Sequence, residues 1–440
     1  MPSRVLSLVC RECGAEVPAG PWHVCDTCFG PLDVRYDYSE VARRVSRESI
    51  EAGPASIWRY RDLLPVEFDP EDEGPTTLGE GFTPLIHAGN LGERLGLRNL
   101  YLKNDAMNPT NSFKDRVVSV AVSWAKRNGF NTIACASTGN LANSVAAYAA
   151  RAGMPGVVFI PADVEEGKIG ATAVFKPTLV RVDGGYDDVN RLCVELADEL
   201  DWAFCNINIR PFYGEGSKTL TYETAEQLGW RLPDEIVIPV ASGCQFVKHN
   251  KAAQELIELG LVQGSGARRP VLTGAQAAGC APVASAFASG QPRIVPVHAK
   301  TIAKSIAIGN PSDGSYVVKL AQTTGGVVDT VNEDEVVEGI ELLAETEGIF
   351  TEPAGGVTVG VLAKLARTGR WRGDETIVAY ITGHGLKTGE VVAGRSRMAD
   401  VIAPTIEAFK ERFSSVIPPL ADKRVAPASD RERKGELAAV

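Results

Sequence analysis

Short apolar runs alternate with amphipathic stretches along most of the chain after residue 76. The apolar runs predict β-strands at 99–103, 131–136, 156–160, 178–182, 235–240, 271–276 and 376–382. Most of the intervals carry apolar residues at helical spacing. Because parallel strands need a crossover connection, this alternation predicts mainly parallel sheets with helices on both faces. Roughly 330 residues of it predict two open α/β domains with a cleft between them.

The remaining segments set the predicted domain boundaries. Residues 1–35 are rich in cysteine and predict a small ribbon, whereas residues 36–75 are polar and predict a linker. Residues 76–405 are the predicted core, with its smaller α/β subdomain at about 110–240. Residues 406–440 are predicted to be a C-terminal extension, with a disordered end rich in charge, alanine and proline.

Residues 108–116, with the sequence Asn-Pro-Thr-Asn-Ser-Phe-Lys-Asp-Arg, place a lysine at a predicted helix entrance. Ser112 followed three residues later by Asp115 is a capping-box pattern, so Lys114 falls in the first helical turn. A cation there gains no support from the helix macrodipole, which favours cations at the other end. Two interpretations stay open at this point: a solvated surface lysine, or a lysine that binds a cofactor covalently.

Three loops follow predicted strands, at 137–140, 241–245 and 382–387. Ligands of open α/β sheets gather at the carboxyl ends of the strands. The hydroxyls and backbone N–H groups of the first loop suit a carboxylate, and the small residues of the second let N–H groups close around a phosphate. Two glycines in the third permit close approach of a ligand. Each loop taken alone is also compatible with an ordinary turn.

Composition and charge narrow the class of protein. A formal net charge of −10 and an isoelectric point near 5.3 argue against general binding to nucleic acid or anionic membranes. The chain carries no apolar run of membrane-spanning length and no convincing signal sequence at its start. These features predict a cytoplasmic protein that acts on small molecules.

Four of the nine cysteines form a motif, while the other five are scattered singly. Cys10-x-x-Cys13 and Cys25-x-x-Cys28 are separated by eleven residues, a spacing typical of two knuckles that enclose a tetrahedral zinc ion. With four thiolates the site has no open position for water, so the zinc is predicted to be structural. An iron centre or a reduced, metal-free pair of turns remains the alternative.

Several of these segments, in this order, resemble the fold-type-II pyridoxal-phosphate enzymes and, within them, the threonine synthases. The resemblance is carried by Leu-Gly-Glu-Gly-Phe-Thr-Pro-Leu at 78–85, the lysine segment 108–116, Ser-Thr-Gly-Asn at 137–140 and Thr-Gly-His-Gly-Leu-Lys at 382–387. It covers residues 76 to about 400. An N-terminal cysteine ribbon is also similar to one found in some chains of this family.

The resemblance implies pyridoxal 5′-phosphate as cofactor and assigns roles to individual residues. Lys114 would bind the cofactor covalently and later move protons, with Phe113 flanking the ring. Asn140 would hydrogen-bond the phenolic oxygen and Thr382 would face the pyridine nitrogen. The cofactor phosphate would lie on a loop formed by Ala241, Ser242, Gly243, Cys244 and Gln245. The substrate carboxylate would lie on Ser137, Thr138 and Gly139.

The implied reaction converts O-phospho-L-homoserine and water into L-threonine and phosphate, as a carbon–oxygen lyase. The substrate phosphate needs a second anion site, for which Lys103 and Arg210 are candidates. A plain strand-end charge for Lys103 and an ion pair for Arg210 are equally open. The same lysine also suits a β-replacement synthase acting on phosphoserine or an activated serine, or a threonine/serine dehydratase. An inactive scaffold protein is the non-enzyme alternative, and a homodimer is the expected assembly.

Overall fold

The structure is a computed structural model that describes residues 3–69, 71–137, 139–162, 166–263, 267–395 and 401–414. Its strands are β1 Val5–Cys10, β2 Glu16–Val17, β3 Leu32–Tyr36, β4 Leu85–His87, β5 Asn99–Asn104, β6 Ile133–Ala136, β7 Gly156–Pro161, β8 Thr178–Val182, β9 Ala203–Phe204, β10 Glu235–Pro239, β11 Val271–Ala277, β12 Val328–Val331 and β13 Thr376–Ile381.

The described residues also form α-helices, most of which lie between strands along the chain. They are α1 Tyr38–Arg44, α2 Arg47–Glu51, α3 Gly89–Leu95, α4 Lys114–Arg127, α5 Asn140–Ala152, α6 Glu166–Ala173, α7 Tyr186–Glu199, α8 Arg210–Glu215, α9 Lys218–Gln227, α10 Cys244–Glu258, α11 Pro282–Ala288, α12 Gly314–Thr324, α13 Glu333–Glu347, α14 Pro353–Arg367, α15 Glu390–Ala393 and α16 Ile406–Phe413.

The largest sheet has six strands in the order β12-β11-β10-β13-β5-β4. All neighbours run parallel except β4, which pairs antiparallel with β5. The central strand β13 is buried from Ile377 onwards, as expected for a parallel strand covered on both faces. It lies between β5 and β10, and this order brings the ends of three strands to one edge of the sheet.

A second sheet has four parallel strands in the order β8-β7-β6-β9. Helices α5 and α7 pack against its strands, and α5 begins directly after the carboxyl end of β6. The strands of this sheet fall within the predicted smaller subdomain. The α/β class with mainly parallel sheets is thus confirmed, whereas the domain boundaries stay a prediction.

The N-terminal segment forms a three-stranded antiparallel sheet in the order β2-β1-β3. Polar contacts attach it to the helices behind the large sheet. The Tyr36 hydroxyl donates to Glu215 Oε2 at 2.7 Å, and Lys251 Nζ donates to Asp33 Oδ1 at 3.0 Å. These partners are buried or nearly so, which makes the segment part of the same packed body.

The stretch 36–75, expected to be a linker, contains two helices and a 3-10 segment, Ile57–Leu63. Trp58 and Tyr60 are 4% and 1% exposed and belong to the largest apolar cluster of the core. Trp58 Nε1 donates to both Glu80 Oε1 and Ser119 Oγ at 3.0 Å. Acidic residues that suggested a linker, such as Glu71 and Glu73, are exposed, while Trp58 anchors the stretch to α4.

The described residues from Val392 onwards, 392–395 and 401–414, belong to a unit separate from the rest of the chain, and Ile406–Phe413 form the helix α16. The tail from residue 421, expected to be disordered, lies outside the described residues. A search of the described part of the chain finds no helix with the length and apolar character needed to cross a bilayer.

Candidate active site

The turn that presents Lys114 is fixed by Asp115. The Thr110 backbone N–H and hydroxyl both donate to this carboxylate at 2.6 Å, and the Ser144 hydroxyl donates to it at 2.7 Å. Burial raises the pKa of Asp115 to about 6 despite these donors. The predicted capping box is therefore wrong: Asp115 bonds Thr110, and the buried Ser112 hydroxyl has no partner among the described residues. The Asp115 carboxylate accepts hydrogen bonds from Thr110 and Ser144, so it stabilises the proline-marked turn and does not cap the helix.

The same turn is joined to the end of the central strand β13. The Phe113 backbone N–H donates to the Thr382 carbonyl at 3.0 Å, and Ser112 forms an antiparallel bridge with Gly383. Thr382 itself is 3% exposed. The lysine segment and the last predicted motif of the core, about 270 residues apart, thus lie side by side.

Lys114 has the environment of a reactive amine. Its Nζ donates to the Tyr213 hydroxyl at 3.1 Å and lies 4.5 Å from the centre of the Phe113 ring. Burial lowers the pKa of Lys114 to about 8, against the opposing influence of Cys244 and Glu352. A lysine whose pKa falls toward neutrality carries the free amine that imine chemistry needs.

Asn140 lies at the start of α5, where the loop after β6 ends. Its Nδ2 donates to both carboxylate oxygens of Glu352, at 3.0 and 2.9 Å, and its Oδ1 accepts from Lys387 Nζ at 2.9 Å. These partners fix which end of the amide faces which neighbour. In the same loop the Gly139 N–H donates to the Ser137 hydroxyl at 3.3 Å, while Thr138 lies outside the described residues.

Glu352 is a site residue that the sequence reasoning missed. It precedes α14, it is 3% exposed, and it also accepts from the Ser305 hydroxyl at 3.0 Å. Gly383 makes room for it, because a Cβ there would lie 2.5 Å from the Glu352 carboxyl carbon. Burial raises the pKa of Glu352, with Asn140 and Lys387 acting in the opposite direction. The sequence signal is the Glu-Pro pair at the start of α14, a pair that resembles many helix N-termini.

The loop 241–245 enters the 15-residue helix α10 through a left-handed glycine. Gly243 has φ +93°, and a Cβ there would meet Val317 Cγ2 at 2.7 Å and Asp313 Cβ at 3.0 Å. The Ser242 carbonyl accepts from the Asp313 N–H at 2.9 Å. The loop is therefore packed from behind, and the first N–H groups of α10 form the type of helix N-terminus that binds phosphate.

The side chains at the end of this loop differ in their surroundings. Cys244 lies close enough to Lys114 to influence its pKa. Gln245 is 9% exposed and its Nε2 lies 3.4 Å from His249 Nε2 on the next turn of α10. Ala241 packs against an apolar cluster beside β11. The polar end of Gln245 is thus engaged by the helix.

Lys103 does not provide an anion site. It is fully buried, its Nζ donates to the Thr83 carbonyl at 2.7 Å and to Gln227 Oε1 at 2.9 Å, and it pairs with Glu223 at 2.7 Å. Three partners account for the three ammonium protons, so the predicted role in substrate binding is wrong. The sequence of β5 does not show to which side of the sheet the Lys103 side chain points.

Arg210 forms the ion pair that was the open alternative. Its Nη2 pairs with the buried Asp313 and donates to the Ser312 hydroxyl at 2.8 Å. Arg11, from the cysteine segment, reaches the other Asp313 oxygen at 2.8 Å. A substrate phosphate would have to compete with this carboxylate for both guanidinium groups.

The four N-terminal cysteines converge as their spacing predicts. Their sulfur atoms all lie within 4.8 Å of one another, with Cys10 and Cys28 separated by 3.4 Å and Cys13 and Cys25 by 3.7 Å. Four ligands at the usual Zn–S length of about 2.3 Å in a tetrahedron lie about 3.8 Å apart. Backbone N–H groups of Thr27 and Cys28 lower the pKa of Cys25 to about 6, which favours a thiolate. The donor set fits a zinc ion.

The main site also fits pyridoxal phosphate. It combines the buried Lys114 amine, whose pKa is lowered, with the Asn140 amide, whose orientation is fixed. The N-terminus of α10 completes it, and Gly243 there has no room for a Cβ. The orphaned Ser112 hydroxyl beside Lys114 is a further polar group without a protein partner among the described residues. Cys244 of the loop 241–245 is close enough to influence the pKa of Lys114, so this loop lies near the amine.

A family model described as pyridoxal-phosphate dependent enzyme matches residues 76–383. The chain is 37% identical to a threonine synthase of Methanosarcina acetivorans over 407 residues, which cover 92% of this chain and 98% of that protein. The chain belongs to the threonine synthase family. A second threonine synthase, from Methanocaldococcus jannaschii, is 36% identical and the match covers 86% of this chain and 92% of the relative.

Solved structures show the same fold for this threonine synthase family member. A processed threonine deaminase isoform 2 from Solanum lycopersicum superposes with a TM-score of 0.59 at 21% identity, covering 71% of this chain and 84% of that one. At this identity the likeness concerns the fold. The resemblance noted from four sequence motifs is confirmed by the family model and the curated relatives.

Proposed function

We propose that this chain converts O-phospho-L-homoserine and water into L-threonine and phosphate with pyridoxal phosphate as its cofactor. The observation that carries the proposal is the match to a threonine synthase across 98% of that protein's length. The buried Lys114 amine, with its pKa lowered to about 8, supplies the group that such a reaction requires.

The cofactor, when bound, supplies an electron sink for carbon atoms that lose a proton. Lys114 would hold it covalently and would afterwards take and return protons at its Nζ. Phe113 would flank the ring, and Asn140 would orient it by donating to the phenolic oxygen. The N–H groups of 241–245 would bind the cofactor phosphate, and Thr382 would offer a hydroxyl to the pyridine nitrogen.

Substrate binding is assigned to the loop between β6 and α5. Ser137, Thr138 and Gly139 would receive the α-carboxylate, because hydroxyl and backbone N–H groups at the start of α5 favour an anion. Lys387 is the cation we assign to the substrate end of the site, since it is 2.9 Å from Asn140 and Lys103 is engaged elsewhere. Burial lowers the pKa of Lys387, with Glu352 and Asp115 acting in the opposite direction.

Three further statements belong to the same proposal. The four cysteines would hold one structural zinc ion, supported by their mutual distances. The core would consist of two α/β subdomains, the smaller one at about 110–240, supported by the two separate parallel sheets. The enzyme would act as a cytoplasmic homodimer, which is the commonest assembly among soluble oligomers.

Phosphate release and threonine formation from O-phosphohomoserine, measured beside O-phosphoserine, serine and threonine, test the reaction. We expect turnover of O-phosphohomoserine alone at a substantial rate, with Lys114→Ala inactive. Turnover of O-phosphoserine with an added nucleophile would instead identify a β-replacement synthase. Release of ammonia from serine or threonine as the main activity would identify a dehydratase.

Cofactor binding is tested separately from turnover. Purified wild-type protein should show the visible absorption of a lysine-bound pyridoxal phosphate, and Lys114→Ala should lack it. Lys126→Ala is the matched control, because this half-exposed lysine lies at the other end of α4 and pairs with Glu73. A wild-type protein that stays colourless after addition of pyridoxal phosphate would contradict the proposal.

A further inference from the structure

The hydroxyl of Tyr213 is the hydrogen-bond acceptor that the structure places on the Lys114 amine. The two atoms are 3.1 Å apart, and Nζ lies 5.7 Å from the centre of the tyrosine ring. Tyr213 is 7% exposed, so its phenol meets the amine in a largely water-excluded position. None of the motifs that carry the family resemblance contains this residue.

Two packing contacts set the position of the tyrosine. Helix α8, which carries Tyr213, lies against α4, which begins at Lys114. Gly216 allows this close approach, because a Cβ there would lie 2.5 Å from the Arg116 carbonyl oxygen. Phe212 stacks on Trp124 of α4 with ring centres 3.9 Å apart. The close backbone contact and the stacked rings hold α8 against α4, so the Tyr213 hydroxyl has little freedom to move away from Lys114 Nζ.

The other charged or titratable groups near the amine are engaged elsewhere or act at longer range. Glu352 accepts from Asn140 and Ser305, and it influences Lys114 through its charge. Cys244 would influence Lys114 through its charge as a thiolate, but burial raises the pKa of this thiol and favours the neutral form. Tyr213 is the group in hydrogen-bonding contact with Nζ.

We propose that Tyr213 is a second catalytic residue. Its hydroxyl accepts a hydrogen bond from the Lys114 ammonium and orients the free amine between proton transfers. The inference rests on the proposed function, in which Lys114 takes a proton from a substrate carbon and later returns it. The phenol keeps its own proton throughout, so the proton balance is carried by Lys114 alone. Hydrogen bonds to an ionised donor are stronger than neutral ones, so the phenol stabilises the amine most after it has taken the proton.

The amine can be probed without turnover in full-length protein from which the cofactor has been removed. Acetylation of Lys114 by acetic anhydride, followed by mass spectrometry across pH 6 to 10, should show a midpoint near pH 8 in the wild type. Tyr213→Phe should move this midpoint down by about one unit, because the ammonium loses a charge-assisted hydrogen bond. Tyr101→Phe, which removes a hydroxyl from the partly buried strand β5, should leave the midpoint unchanged.

The loaded enzyme provides the second measurement. With the cofactor absorption intact, Tyr213→Phe should lower kcat for phosphate release by about 10- to 100-fold and change KM by less than threefold. It should also slow exchange of the substrate α-proton with deuterated water, whereas Tyr101→Phe should retain wild-type rates. A structural defect would instead lower cofactor binding and thermal stability together.

The outcomes separate this inference from the proposed function. An unshifted acetylation midpoint together with wild-type kcat in Tyr213→Phe overturns the role of Tyr213. A shifted midpoint in a protein whose wild type releases no phosphate from O-phosphohomoserine rejects the proposed reaction, and the catalytic role of Tyr213 with it. Lys114→Ala, which lacks the acetylation signal, establishes that the measured peptide modification is at this residue.

Discussion

Asn140 and Glu352 are 212 positions apart in the sequence, yet the Asn140 amide contacts both oxygens of the Glu352 carboxylate at 3.0 and 2.9 Å. Lys387 holds the other end of the same amide. The orientation of Asn140 is thereby decided by charges, since the amide N–H groups face the carboxylate and the oxygen faces the ammonium. The contact also joins the loop after β6 to the start of α14.

Replacing Glu352 with glutamine should weaken cofactor binding. Glu352→Gln keeps the shape of the side chain but replaces the charged acceptor of the Asn140 N–H groups with one neutral oxygen and an NH2 group, so the orientation of the amide is held less strongly. We expect the Kd for pyridoxal phosphate to rise about tenfold, equivalent to one hydrogen bond to a charged group. An absorbance titration measures it, with the exposed Glu345→Gln on α13 as control. Equal affinities of the two variants would refute the positioning role.

Replacing Gly243 with alanine should affect both stability and cofactor binding. The left-handed backbone costs about 1–2 kcal/mol for any other residue, and the overlap with Val317 adds about 1–3 kcal/mol. Gly260→Ala is the matched control, because Gly260 also has positive φ but nothing within 4 Å of its Cβ position. Urea unfolding should show the larger loss for Gly243→Ala, and only this variant should bind the cofactor more weakly. Similar losses in both variants would mean that the packing behind the loop is unimportant.

Replacing one cysteine of the N-terminal cluster should remove the metal. Elemental analysis of protein purified without chelator should find about one zinc ion per chain in the wild type and in Cys280→Ala, and little in Cys13→Ser. The thermal midpoint of Cys13→Ser should fall by several degrees, because the ribbon contributes Tyr36 and Asp33 to buried contacts. Iron in place of zinc, or no metal in the wild type, would count against the proposed site.

Replacing Lys103 tests the correction to its role. Lys103→Ala leaves Glu223 with one cation fewer in a fully buried network, so the free energy of unfolding should fall by about 3 kcal/mol. The KM for O-phosphohomoserine should change by less than threefold in the protein that remains folded. A KM raised more than tenfold at unchanged stability would restore Lys103 as a substrate ligand.

The sequence predicted most strands of the two larger sheets, and did so most clearly for the buried apolar runs of β6, β7, β10 and β13. It missed β4 and β12, which have mixed burial, and β9, which has two residues. Their strand character comes from neighbours rather than from their own pattern. The rule that ligands bind at strand ends led us to expect functional residues in the loops after the strands, whereas the order of the strands was not predicted.

The structure brings together residues that a local motif marks and residues that only tertiary contacts bring near them. Lys114 and Asn140 lie in recognisable motifs. Glu352 and Tyr213 lie in ordinary helix sequences, and they come close to the site because Gly383 and Gly216 allow close packing. Lys103 was misjudged because the sequence gives the charge of a side chain but does not give its partners. Backbone proximity of the kind seen at Gly216 leaves no signal beyond the glycine itself.

The ion pair between Arg11 and Asp313 joins residues separated by 302 positions. During synthesis at about 5–20 residues per second, Arg11 leaves the ribosome roughly 15–60 s before its partner exists. The Cys10–Cys28 segment is therefore made long before the Asp313 side of its docking surface. Its four sulfur atoms lie within 4.8 Å of one another, so the contacts among them need no residue of the later core.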